Sequence, residues 1–180
     1  MRVVVCQGQF GVFKEEGLDL SMPAIQTCIG VFGHNIDKSY IVCAHFDTDL
    51  MLEENLDKFE RSMMKNGFTM RELSAVIFGG DGEMSRLRCS KPSVGIGYKI
   101  INYIRKKGGK AGYSDKNYSG LVPQTFNLHY RNRFFIRTGE HSEDFKGGKP
   151  AALEKCRKRI SLRPDQYRPK DAIMTDYNEL

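Results

Sequence analysis

The sequence predicts an α+β fold: a layered α/β sandwich in which a mixed, mainly antiparallel sheet carries two main helices. Three observations point there. Short β-branched and aromatic runs recur along the chain and are bounded by Gly, Asn and Asp, the patterning of strands and turns. Two segments carry an apolar residue every three or four positions, the spacing of a helix with one buried face. Strands and helices interleave, which excludes a bundle and an all-β barrel. A chain of 180 residues with 40% apolar side chains is long enough for one domain with a real core.

The elements follow in order. MRVVVCQ reads as a short strand, with a second around Phe10 to Phe13. CIGVF and YIVCAHF flank the polar stretch HNIDKS, which is a hairpin pattern. In LEENLDKFERSMMKNG, Leu52, Leu56, Phe59 and Met63 form one helical face, and Gly67 is the expected stop. LSAVIFGG is a nearly continuous apolar run, as in a buried central strand. A second helix is expected over SVGIGYKIINYIRKKGG, with Ile96, Ile100 and Ile104 on its buried face. KAGYSD and the run from Phe126 to Ile136 predict further strands. After Thr138 the composition turns polar and basic. The expected division is a domain over residues 1–139 and a basic appendage over 140–180, helical around AALEKCRKRI and in part mobile.

Composition narrows the function classes. No run of about 20 apolar residues exists, so no membrane span is expected. The formal charge of +6 favours an acidic protein surface as partner. Nucleic acid is not expected, because the basic tail is poor in aromatics for stacking. Five cysteines without a CxxC spacing argue against both a disulfide framework and a zinc site. Reduced thiols in a cytoplasmic protein are the simpler reading, and neither metal nor organic cofactor is expected.

The hairpin carries the chemistry. A turn centred between Ile36 and Asp37 places Cys28 directly opposite His45, with Cβ atoms about 4.5–5.5 Å apart on one face. A neighbouring imidazole can take the thiol proton and stabilise the nucleophilic thiolate. Thr27 precedes Cys28 where a loop enters the strand, so backbone N–H groups there can face an oxyanion. The blander reading is a buried apolar cysteine and a hydrogen-bonded strand histidine. Cys89, between Arg86, Arg88 and Lys91, is a rival reactive thiol, since cations lower a thiol pKa. Cys43 shares the face of His45, and His34 belongs to the turn. The Phe78-Gly79-Gly80-Asp81-Gly82 stretch lacks both dinucleotide and P-loop patterns, and Asp81 and Glu83 are too close for a glycosidase pair.

The segments TCIGV and AHF, then AVIFGGDGEM and IGYKIINYIRKKGGKAGYSD, resemble in order the CheD family of chemoreceptor glutamine deamidases, over roughly Arg2 to Gly139. The pairing of Cys28 with His45, 17 residues apart, is also similar to the catalytic domains of cytotoxic necrotizing factor-type toxins. The resemblance implies a Cys28 nucleophile, a His45 acid/base, a thioester intermediate and a protein substrate with an exposed glutamine. It implies either a chemoreceptor target in the bacterial cytosol or a host target for an exported effector. The family's His-orienting threonine corresponds to Met22 here, which leaves Ser21, Thr27 or a backbone carbonyl to hold the imidazole. The residues after AHF, Asp47 and Thr48, and the stretch Tyr118 to Leu121 depart from the family pattern. The alternative from another class is a non-catalytic binding module using the basic tail, with KCRKRI, Arg163, Arg168 and Lys170.

Overall fold

The computed structural model describes residues 1–25, 27–80, 94–114, 124–129, 133–138, 142–163 and 166–180. Cys89, Asp81, Glu83 and the stretch Tyr118 to Leu121 lie outside them. In chain order the described elements are β1 (Arg2–Val4), β2 (Gln9–Lys14), β3 (Asp19–Ile25), β4 (Ile29–His34), β5 (Tyr40–Phe46), α1 (Leu52–Lys65), β6 (Ser74–Gly79), α2 (Val94–Lys106), β7 (Lys110–Tyr113), β8 (Gln124–His129), β9 (Arg133–Thr138), α3 (Pro150–Ser161), α4 (Pro169–Ala172) and β10 (Thr175–Asp176). The fold is α+β, as expected. Its strands divide into two mixed sheets: one of four in the order β1-β3-β8-β9, and one of six in the order β10-β2-β5-β4-β6-β7. Three neighbouring pairs are parallel and the rest antiparallel.

Aromatic contacts establish which face of the larger sheet is which. Phe32 of β4 and Phe78 of β6 pack on Phe126 of β8, with ring centroids 4.8 and 5.3 Å apart. That face meets the smaller sheet. Phe10 of β2 alternates to the other face, where it meets Phe59 of α1 at 5.2 Å. Helix α1 buries Leu52, Leu56, Phe59 and Met63 along the expected stripe, and α2 buries Ile96, Ile100 and Ile104. Gly67 stops α1 by taking φ 86°, the left-handed conformation that a residue with Cβ adopts only at a cost.

Two features depart from expectation. The stretch before Cys28 carries a full strand, β3, that sequence patterning does not mark. It is buried on both faces, so its apolar and polar residues do not alternate with exposure. The segment from 142 onward, expected as an appendage, is built into the domain. β10 adds to the edge of the larger sheet beside β2, and Ala152, Met174 and Tyr177 join the common core. Asn55 of α1 fastens it further, donating to the Ala172 carbonyl at 2.9 Å and accepting from the Met174 N–H at 2.8 Å. The physical reason is that buried backbone groups of one segment find their partners in the other.

Candidate active site

The β4–β5 hairpin closes one step further along than expected. Asn35 donates its N–H to the Tyr40 carbonyl, and His34 faces Ile41. The tip is therefore centred between Asp37 and Lys38. Asp37 directs this, because its carboxylate accepts from the Ser39 N–H at 2.9 Å and Lys38 turns left-handed at φ 58°. The register then places His45 opposite Gly30 rather than Cys28. A two-residue displacement preserves the face. Cys28 lies in the bend that enters β4, two residues before Gly30, the register partner of His45. Gly30 between them is required there, because a Cβ would run into the Phe78 ring.

His45 is 1% exposed, and neither ring nitrogen has a hydrogen-bond partner. Burial drives its pKa down to about 4; the Asp47 carboxylate and the Val5 backbone oppose this and Arg159 adds to it. The imidazole is therefore neutral near pH 7. No hydrogen bond joins it to Cys28, Thr27 or Ser21 in this state. Cys28 is also buried, 6% exposed, and lies within electrostatic reach of Arg159.

Ser21 is not where an orienting group would have to be. It pairs with Asn127 across β3 and β8, one position from the Met22–Phe126 pair. Phe126 faces the larger sheet, so Met22 shares that side by alternation and Ser21 takes the opposite one. There its neighbour in β8, Thr125, donates to Asp144 at 3.1 Å. The Ser21 hydroxyl is buried without a partner. Thr27 is buried in the bend beside Cys28. Cys43 is fully buried and burial raises its thiol strongly, which makes it a core residue. His34 ends β4, with Nδ1 2.9 Å from the Asn35 carbonyl.

Asp47 and Arg159 complete the cluster. Asp47 accepts from Arg159 Nε and Nη2, both at 2.7 Å, from Gln7 Nε2 at 3.0 Å and from the Tyr167 hydroxyl at 3.0 Å. Arg159 also donates to the carbonyls of Asp171, Ala172 and Ile173. Burial pushes the Asp47 carboxyl up, but the Arg159 hydrogen bonds and charge more than offset it and hold it below the usual carboxylate range. A neutral base, a cysteine and an oriented buried ion pair thus share one region. That set can support proton transfer and thiolate chemistry. Asp47 is signalled only as a departure from the family pattern. Arg159 sits in a basic run that reads as a solvated face, so nothing in its spacing marks it.

A cleft of about 270 Å³ is lined by Gln7, Gly8, Gln9, Lys155 and Arg159 among others, and neither Cys28 nor His45 lines it. Among the described residues no three His, Cys, Asp or Glu side chains converge as metal donors, and no helix is long and apolar enough to cross a membrane.

No family model matches the chain, and no curated protein matches it. Among solved structures it is similar to a Neisseria meningitidis protein of family DUF152, at 9% identity and a TM-score of 0.42, covering 66% of this chain and 65% of that one. The chain thus spans less than two thirds of that protein's length.

Proposed function

We propose that the chain is a cysteine-dependent deamidase that hydrolyses a glutamine side-chain amide in a protein to glutamate, releasing ammonia. The observation that carries this reading is His45: a neutral, buried imidazole with both nitrogens unpartnered, whose register partner Gly30 is two residues from Cys28. A buried polar group without a partner costs about 1–3 kcal/mol. Such a group is retained most readily where a substrate or a reaction step supplies the partner. The TCIGV and AHF segments and their resemblance to CheD add the substrate class.

In the proposed reaction His45 takes the Cys28 proton as general base. The thiolate attacks the carboxamide carbon, a C–S bond forms, and charge moves to the oxygen. Backbone N–H groups at the bend holding Thr27 and Cys28 stabilise that oxyanion. The C–N bond breaks as the imidazolium delivers its proton, so that ammonia leaves rather than an amide anion. Water, deprotonated by His45, then hydrolyses the thioester to glutamate and restores the thiol. Arg159 favours the thiolate. Asp47 and the Val5 backbone favour the imidazolium, beside the imidazole-holding role that the resemblance leaves to Ser21, Thr27 or a backbone carbonyl.

The test uses the full chain and carbobenzoxy-Gln-Gly as a generic peptide-glutamine probe, with ammonia release as one readout and labelling by chloroacetamide as the other. Wild type releases ammonia and is labelled at Cys28, whereas C28S does neither and H45Q labels more slowly. Wild-type ammonia release by C28S, or no ammonia release by wild type alongside an unreactive Cys28, overturns the proposal.

A further inference from the structure

We propose that Cys6 and Cys156 form a redox-active thiol pair, closing a reversible disulfide when the protein meets a peroxide. The pair lies at the seam between the β1–β2 turn and α3, and it is independent of the Cys28 reaction. Three contacts define the seam. The Cys6 N–H donates to Gln9 Oε1 at 3.1 Å, and Gln9 Nε2 donates to the Ala152 carbonyl at 2.7 Å. At the other end the Arg159 side chain lies directly over Gly8, filling the space a Cβ would need. Ala152, Cys156 and Arg159 recur at spacings of four and three, so they share the inward face of α3. Cys156 is therefore held between two points that clamp the turn carrying Cys6, and the two thiols interact.

The two sulfurs are differentiated. Cys156 is half-buried, and the neighbouring Cys6 thiol, the Gln7 backbone and the Arg159 charge hold its thiol below the ordinary range. Cys6 is fully buried, and the Cys156 hydrogen bond and burial push its thiol upward. This is the division between an attacking and a resolving thiol. The cleft lined by Gln7, Gly8, Lys155 and Arg159 lies beside the same seam.

The chemistry balances with hydrogen peroxide as oxidant. The Cys156 thiolate attacks one peroxide oxygen and the O–O bond breaks. The departing hydroxide takes the thiol proton as water, leaving a sulfenic acid. The Cys6 sulfur then attacks the sulfenic sulfur, the S–O bond breaks, and a second water leaves with the Cys6 proton. Two thiols have lost two electrons and two hydrogens, and the peroxide has been reduced to two waters.

The experiment treats the full chain with hydrogen peroxide, blocks remaining thiols with N-ethylmaleimide, and maps peptides without reduction. The expected result is a Cys6–Cys156 linked peptide, a fall in titratable thiols from five to three, and full reversal by dithiothreitol. In C6S, dimedone traps a sulfenic acid at Cys156; in C156S, Cys6 stays unmodified. Wild-type mapping alone decides the matter if a variant does not fold. Oxidation of Cys28 or Cys89 ahead of the pair, a disulfide between chains, or unchanged Cys6 and Cys156 overturns it.

Discussion

The β4–β5 hairpin and the α3 seam reach the same buried cluster by opposite routes. The hairpin places His45 through local chemistry: an Asp37 turn, a five-residue connection between strands, and alternation along β5. The seam places Arg159 through a buried ion pair to Asp47, 112 residues away in sequence. Local placement tolerates a register displacement of two residues without losing the face. Long-range placement tolerates nothing comparable, because an unpaired buried charge is costly. The hairpin thus sets the position of His45, and the seam sets the electrostatic surroundings of the cluster.

The largest expected effect tests the hairpin. Replacing Cys28 by Ala removes the proposed nucleophile, and amide hydrolysis should fall by on the order of 10⁴-fold or more. Folding should be retained, since a small side chain replaces a small one. Far-UV circular dichroism alongside ammonia release separates the two.

The next tests the seam. Arg159→Met leaves the Asp47 carboxylate buried without its cation, and urea unfolding should report a loss of about 3–5 kcal/mol. The D47L/R159M double variant should recover most of that loss, because two apolar groups leave no charge unpaired. A double variant as unstable as the single one would mean that the carbonyl contacts of Arg159, not its ion pair, hold the segment.

Protonation connects the two regions. In the folded state His45 titrates near 4, against 6.5 unfolded. Between those values the unfolded chain binds the proton that the folded one refuses. Stability from this group is therefore complete above pH 6.5 and falls as pH drops toward 4, by about 3 kcal/mol in total. H45Q should flatten that part of the stability profile measured by urea titration. A slope unchanged in H45Q would assign it to another group.

Sequence reading reaches the hairpin and stops short of the seam. The hairpin and the stripes of α1 and α2 are legible because turn chemistry and periodicity are local, although the register pairs His45 with Gly30 rather than Cys28. The strand β3 is not, since burial on both faces removes its alternation, and without its register the sequence does not fix the face of Ser21. Asp47 and Arg159 are each informative only through the other. Asp47 stands where the resemblance to CheD breaks after AHF, and Arg159 lies beyond the resembling segment. The two departures are one feature, a buried pair that no local pattern announces.

Smaller effects resolve the hairpin itself. Gly30→Ala places a methyl against the Phe78 ring, and overpacking of this kind costs about 1–3 kcal/mol. Because Gly30 separates Cys28 from His45, the same variant should slow Cys28 labelling by chloroacetamide. Loss of stability with labelling unchanged would show that the ring moves away from the site rather than into it.

The smallest effect discriminates between the two turn centres. Lys38 occupies φ 58°, which a residue with Cβ adopts at a cost of roughly 1–2 kcal/mol and glycine adopts freely. Lys38→Gly removes that cost but gives the unfolded chain more freedom, so a net gain of about 0.5 kcal/mol is expected. A turn centred between Ile36 and Asp37 would make Lys38 an ordinary residue with negative φ, and glycine there would destabilise the protein. The sign of the change in urea midpoint therefore reads the register directly. A lowered midpoint would restore Cys28 to the position opposite His45 and remove Gly30 from between them.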